Sequence, residues 1–229
     1  MYSREVGSRA RTFGVSGKLW HGVLVMFDRE TGSLWTQLDG RSIHGAERGQ
    51  RLEHVPSVFT VWGMWREAHP DSLVLKKSPG EAAQKKSSYA AYFEDSGRLF
   101  QPRLGEGLGS ELGPKEVVFG VRVNGETLAV AEHVLEERSV VNAHVATVPV
   151  ALLRNFATGE VLAVTRLQGG REVELVPIEG AEPTERVQVP GGGVIEVKAL
   201  SPLRVDRAYW YAWARTVARA GGASTVITE

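Results

Sequence analysis

Near the start of the chain, apolar positions fall in short alternating runs broken by glycine and charge, the period-two pattern of half-buried strands. Tyr2 to Val15 reads as strand, turn, strand, with Gly7-Ser8 as the turn and Thr12, Phe13 and Val15 as strand formers. Leu24 to Phe27 is an apolar run, Asp28 to Gly32 carries turn residues, and Ser33 to Leu38 alternates before an Asp39-Gly40 turn. Together these predict a β-hairpin with a polar tip. Between Pro56 and His69 the period changes. Val58, Val61, Trp62 and Trp65 recur at three and four residues, one helix face, with Ser57 as N-cap and Pro70 as stop.

Lys76 to Ser88 has the composition of a linker, Tyr89 to Phe93 and Arg98 to Phe100 read as short strands around a Ser-Gly turn, and Pro102 to Pro114 is glycine-rich. Strands then dominate. Val117 to Val123 and Thr127 to Val130 flank the Asn124-Gly125 hairpin signal, and Ala131 to Arg138 fits one or two helical turns. Val145 to Leu153, Val161 to Arg166, Arg171 to Ile178 and Val194 to Leu200 are further strand patterns, with Pro190 to Gly193 as a hairpin turn. A closing helix is expected over Val205 to Ala220, with Tyr209, Trp210, Trp213 and Val217 on one face and a stop at Gly221-Gly222.

The two halves echo each other. Ser3-Arg4 before Gly7-Ser8-Arg9 matches Thr165-Arg166 before Gly169-Gly170-Arg171, and each half ends in Trp-x-x-Trp, at Trp62 and Trp65 and at Trp210 and Trp213. The intervals are 59 residues from Ser3 to Trp62 and 45 from Thr165 to Trp210. This order points to a tandem duplication. The expected fold is β-rich α+β: two related lobes of mostly antiparallel strands, each closed by a Trp-x-x-Trp helix packed on its own sheet. The first lobe spans 1–75, a linker with short strands 76–114, and the second lobe 115–229. Val117 to Val164 has no counterpart ahead of Ser3, so the first copy is expected to lack roughly 50 residues at its N-terminus.

Composition narrows the function classes. With 229 residues, 42% of them hydrophobic, the chain can bury a core. Lys+Arg and Asp+Glu balance at 27 each, and the lysines at 76, 77, 85 and 86 sit in a linker without stacking aromatics, which argues against nucleic acid as partner. No cysteine is present, so disulfides, thiolate metal sites and cysteine nucleophiles are excluded. No apolar run has the roughly 20 residues of a transmembrane helix, and the first residues lack the apolar core of a signal peptide.

Candidate chemistry concentrates between Phe13 and Gln37. Asp28, Thr31 and Ser33 surround Gly32 and satisfy the needs of a tight turn; with Glu30 they equally form a polar binding rim. Ser16, His21 and Asp28 have the residue types of nucleophile, base and orienter, but Ser16 lies in Val-Ser-Gly rather than in a Gly-x-Ser-x-Gly elbow. Trp20 and Trp35 are core residues or a stacking platform for a flat ligand. Gln37 completes the binding set of Trp20, His21, Asp28, Glu30, Thr31, Ser33 and Trp35. His44, His54, His69, His133 and His144 have no metal-type partner at i+4, and Asn142 reads as a turn or strand-end cap. Gly105, Gly107 and Gly109 do not lie between a strand and a helix, so they form no phosphate loop. No segment carries a nucleotide, haem, flavin or iron–sulfur motif.

Several segments resemble one bacterial family. FGVSGKLW, LVMFDRETGSLW, the Trp-x-x-Trp stretch running into His-Pro-Asp-Ser-Leu-Val-Leu, YAAYF and the closing YWYAWA look like the family of domain of unknown function 3179. The resemblance covers nearly the whole chain. It implies a tandem duplication, an extracytoplasmic location (periplasmic, secreted or lipoprotein), and in many members a Cys-x-x-Cys-like segment ahead of the strand at Tyr2. Here Asn155 to Thr158, the equivalent place in the second copy, has no cysteine, and His21 stands where many members have Asn. The second copy also lacks an Asp-Arg-x-Thr-Gly-Ser-x-Trp segment. The family has no established activity, and a metal in its full-length members stays open. Two readings follow: a non-catalytic binding or interaction protein with a small-molecule, metal or protein ligand at the hairpin, or a hydrolytic or metal-dependent enzyme using His21, Asp28, Glu30 and Ser33.

Overall fold

Alternating runs become strands wherever a turn residue lets the chain reverse. The computed structural model describes all residues except 56, 58, 77, 79–88, 100–102, 104–107, 109–111 and 218–223. It is β-rich, 40% strand and 14% helix, with mostly antiparallel sheets. The first half opens with the small hairpin β1 (Glu5–Val6) and β2 (Arg9–Ala10), turned at Gly7 with φ +62°. Then β3 (Phe13–Trp20), β4 (Val23–Asp28), β5 (Leu34–Thr36) and β6 (Ser42–His44) form an antiparallel sheet in sequence order. Two short helices follow, α1 (Trp62–Ala68) and α2 (Ala90–Glu94).

The second half continues with β7 (Val117–Val123), β8 (Glu126–Ala131), α3 (Glu132–Glu137), β9 (Val140–Val145), β10 (Val148–Arg154) and β11 (Val161–Thr165). Two hairpins come next: β12 (Leu167–Gln168) with β13 (Arg171–Glu172), and β14 (Arg186–Gln188) with β15 (Val194–Glu196). The chain closes with β16 (Pro202–Leu203), β17 (Val205–Tyr209), α4 (Trp210–Thr216) and β18 (Ser224–Ile227). One sheet has the order β17-β7-β8-β18, with β18 parallel to β8; another has the order β16-β11-β10-β9.

The core lies between these last two sheets. Val150 and Leu152 of β10 face Val121, Leu128 and Trp213, whereas Ala151 and Leu153 face Leu175, Val187 and Ile195. Because β10 is covered on both faces, its sequence reads as a continuous apolar run rather than an alternation. Helix α4 is buried on several sides at once: Trp210 and Trp213 enter the main core, while Tyr211 and Ala212 pack against Val23 of the first half's sheet.

Several expectations are corrected. Ala90–Glu94 is helical, not a strand. Val205–Tyr209 is a strand paired with β7, so the closing helix begins only at Trp210. Helix α1 begins at Trp62 with Val61 as its N-cap, and Ser57 is not its cap. Trp62 and Trp65 are 49% and 40% exposed, so α1 does not seal a sheet as α4 does. Pro56, Val58, residues 79–88, the glycines at 105, 107 and 109, and the Gly221-Gly222 stop lie outside the described residues. Among the described residues, no helix is long and apolar enough to cross a membrane.

Candidate functional site

Asp28 ends β4 and enters the turn to β5. Gly32 takes φ +70°, which glycine adopts at no steric cost, and donates to the Asp28 carbonyl at 2.9 Å. The Asp28 carboxylate, fully buried, accepts three bonds: Thr31 N–H at 2.6 Å and Thr31 Oγ1 at 2.7 Å on one oxygen, and Trp35 Nε1 at 2.8 Å on the other. Burial pushes its pKa up, but the bonds from Trp35 and Thr31 outweigh burial and hold it below the ordinary carboxylate value. Ser33, also buried, bonds Thr31 Oγ1 at 2.7 Å and accepts Glu47 N–H at 3.1 Å. Trp35 is fully buried, with Phe13 edge-on at 5.8 Å.

The structure therefore brings Asp28, Thr31, Ser33 and Trp35 together, as an internal lock whose carboxylate is fully occupied. Glu30, exposed, turns back to accept the Thr12 N–H at 2.9 Å, a bond that lowers its pKa. Gln37 ties its backbone N–H to the Leu24 carbonyl at 3.0 Å and leaves its side chain exposed. The same turn recurs at Asn155–Gly159, where Thr158 N–H reaches Asn155 Oδ1 at 2.8 Å, Gly159 N–H reaches the Asn155 carbonyl at 2.9 Å, and Gly159 has φ +68°. Turn chemistry alone accounts for the Asx-Thr-Gly spacing; the tryptophan clamp belongs to the first hairpin.

The opposite end of β4 carries Trp20 and His21. His21 and Gly22 form the β3–β4 turn with φ +51° and +77°, and the Trp20 and His21 rings meet edge to face at 4.7 Å. The six residues of β4, roughly 20 Å at about 3.3 Å per residue, separate the His21–Gly22 turn from the turn at Asp28. Ser16 sits at a bulge between Val15 and Lys18 and donates its hydroxyl to the Val25 carbonyl at 2.6 Å. Ser16, His21 and Asp28 are thus spread along one hairpin and do not converge. What does lie open is the β3 flank, where Val15, Leu19 and Trp20 are 69%, 43% and 40% exposed.

Two features have no local signature. Arg204 joins the halves, donating from Nη2 to Tyr2 Oη at 2.6 Å, the Leu38 carbonyl at 2.7 Å and Asp206 at 2.7 Å. A cleft of about 500 Å³ beside it is lined by His54 and Ser57 from the first half and Glu160, Leu162, Leu200 and Leu203 from the second. Among the described residues, no group of three His, Asp or Glu could hold a metal.

Fold and site define a β-rich protein built of mostly antiparallel sheets with few helices. The chain belongs to the DUF3179 family, proteins of unknown function, whose sequence profile matches residues 1–218. No curated protein and no solved structure matches it.

Proposed function

We propose that the protein is a non-catalytic extracytoplasmic binding or interaction protein, and that its recognition surface is the β3–β4 hairpin, from the Val15 flank to the Trp20–His21 tip. One observation carries the reading. A non-glycine residue is held in the left-handed region at the hairpin tip and packed against a half-exposed tryptophan. Such backbone costs stability and tends to be retained where it serves recognition. The bulge at Ser16 and the charge of Lys18 guard the β3 edge against strand pairing, which favours recognition by side chains over strand addition. The occupied Asp28 carboxylate and the separation of Ser16 from His21 speak against hydrolysis.

The test uses the full chain with a panel of sugars, aromatic acids and peptides, read by the indole signals of the tryptophans and by turnover of ester and amide substrates. Binding that shifts Trp20 and is lost in Trp20→Ala, without turnover, is expected. Turnover abolished by Ser16→Ala would sink the proposal.

The same reading includes a tandem duplication. Its support is the shared register of β1–β2 and β12–β13: Glu5 faces Ala10 as Leu167 faces Glu172, and Arg11 N–H reaches the Arg4 carbonyl as Val173 N–H reaches that of Arg166. Exchanging residues 5–10 for 167–172 is expected to leave the melting temperature within a few degrees; a chain that no longer folds counts against equivalence.

A further inference from the structure

The cleft between the halves has the form of a ligand site that the hairpin does not use. Its volume, about 500 Å³, lies within the range of small-molecule sites, and such sites favour junctions between structural units. Its floor is apolar, laid down by β11, β16 and the turn ahead of β16: Val161, Leu162, Leu200 and Leu203. Polar groups stand around this floor, and their existing partners decide which of them is left for a ligand.

Arg204 is committed to Asp206, Tyr2 and the Leu38 carbonyl. Thr184 Oγ1 already accepts Asn155 Nδ2 at 3.1 Å. Lys198 is exposed to water in the middle of a 3-10 turn. His54 packs edge-on against Tyr2 with ring centres 6.0 Å apart, and burial, then the Arg204 charge, lowers its pKa. Glu160 differs from all of these. The Asn155–Gly159 turn presents it at the cleft, and among the described residues its carboxylate has no hydrogen bond or ion pair. Burial in the apolar surroundings pushes its pKa up. A partly desolvated carboxylate without a partner gains most from a cation that can donate a hydrogen bond.

We propose that the inter-half cleft binds a small amphipathic amine, its apolar body on the Leu162, Leu200 and Leu203 floor and its ammonium group on the Glu160 carboxylate. An anionic head group would meet Glu160 unfavourably, and an uncharged one would leave its charge uncompensated. The site is separate from the hairpin tip and stands or falls without it.

The experiment compares n-octylamine, octanol and octanoate, one body with three head groups, by calorimetric titration of the full chain. Octylamine is expected to bind at least about tenfold more tightly than octanol, a difference of about 1.4 kcal/mol, with octanoate weakest. Glu160→Gln is expected to erase the preference for the amine while leaving octanol binding and the melting temperature unchanged. Ser57→Trp, at an exposed position on the rim, is expected to weaken all three by narrowing the cleft. Equal binding of the three probes, amine binding unchanged in Glu160→Gln, or no binding up to about 1 mM overturns the proposal.

Discussion

Asp28 carries more of the fold than any other polar side chain of the first hairpin. Its oxygens satisfy the Trp35 indole and both donors of Thr31 in a site closed to water. Asp28→Ala is expected to cost about 3 kcal/mol, since charge-assisted bonds are lost and a buried indole N–H is left unpaired. Urea denaturation at neutral pH measures it. Because folding lowers the Asp28 pKa, its contribution is fully present above the unfolded value of about 3.9 and is lost as pH falls through the folded value. Asp28→Asn should therefore flatten the acid limb of the stability curve, measured as the urea midpoint at descending pH. His21→Asn tests the other end of the hairpin. Asn adopts the left-handed region more readily than His, so the variant is expected to gain about 0.5 kcal/mol while losing any binding that needs the imidazole.

Among the elements, α4 and the glycine it rests on set the tightest constraint. A Cβ at Gly120 of β7 would lie 2.3 Å from the Trp213 ring, so Gly120→Ala is expected to cost about 3 kcal/mol through displaced core packing, read as a fall in melting temperature. Hairpins were the legible part of the sequence, because their signals are local: Gly7-Ser8, Asn124-Gly125 and the Asp28 to Gly32 turn each reverse the chain where the residues say. Elements defined by distant partners were not. Val205–Tyr209 reads as the start of a helix only until β7 pairs with it, and Tyr89 to Phe93 has strand composition yet coils into α2. At the site, the Asp28, Thr31 and Ser33 cluster was visible through its spacing. The cleft was not, since His54 and Glu160 are brought together only by the packing of the two halves.

Across the whole molecule, the seam between the halves gathers Arg51, Arg122 and Arg204 beside Asp39 and Asp206. Arg122 Nη2 is buried without a hydrogen-bond partner among the described residues. Its pKa is lowered by burial and then by the charges of Arg51 and Arg204. Arg204 lies nearby but is fully paired, and its pKa is raised: burial lowers it, and the bond and charge of Asp206 more than compensate. The two arginines should thus respond in opposite ways. Arg204→Met is expected to cost about 2 kcal/mol, because Asp206 loses its donor while the Leu38 carbonyl keeps only the Tyr2 hydroxyl, whereas Arg122→Met should be neutral or stabilising by about 0.5 kcal/mol. Parallel denaturation of the two variants checks this.

The parallel seat of β18 beside β8 also bears on how the chain is made. Ser224 must find Thr127, and Ile227 must find Val130, across almost a hundred residues of intervening chain. Until residues 224–227 have left the ribosome, β8 presents an apolar strand with one side of its backbone unpaired, open to pairing with a neighbouring nascent chain. Completion of this sheet therefore waits on β18, and until then β8 is an edge at which the chain can pair wrongly.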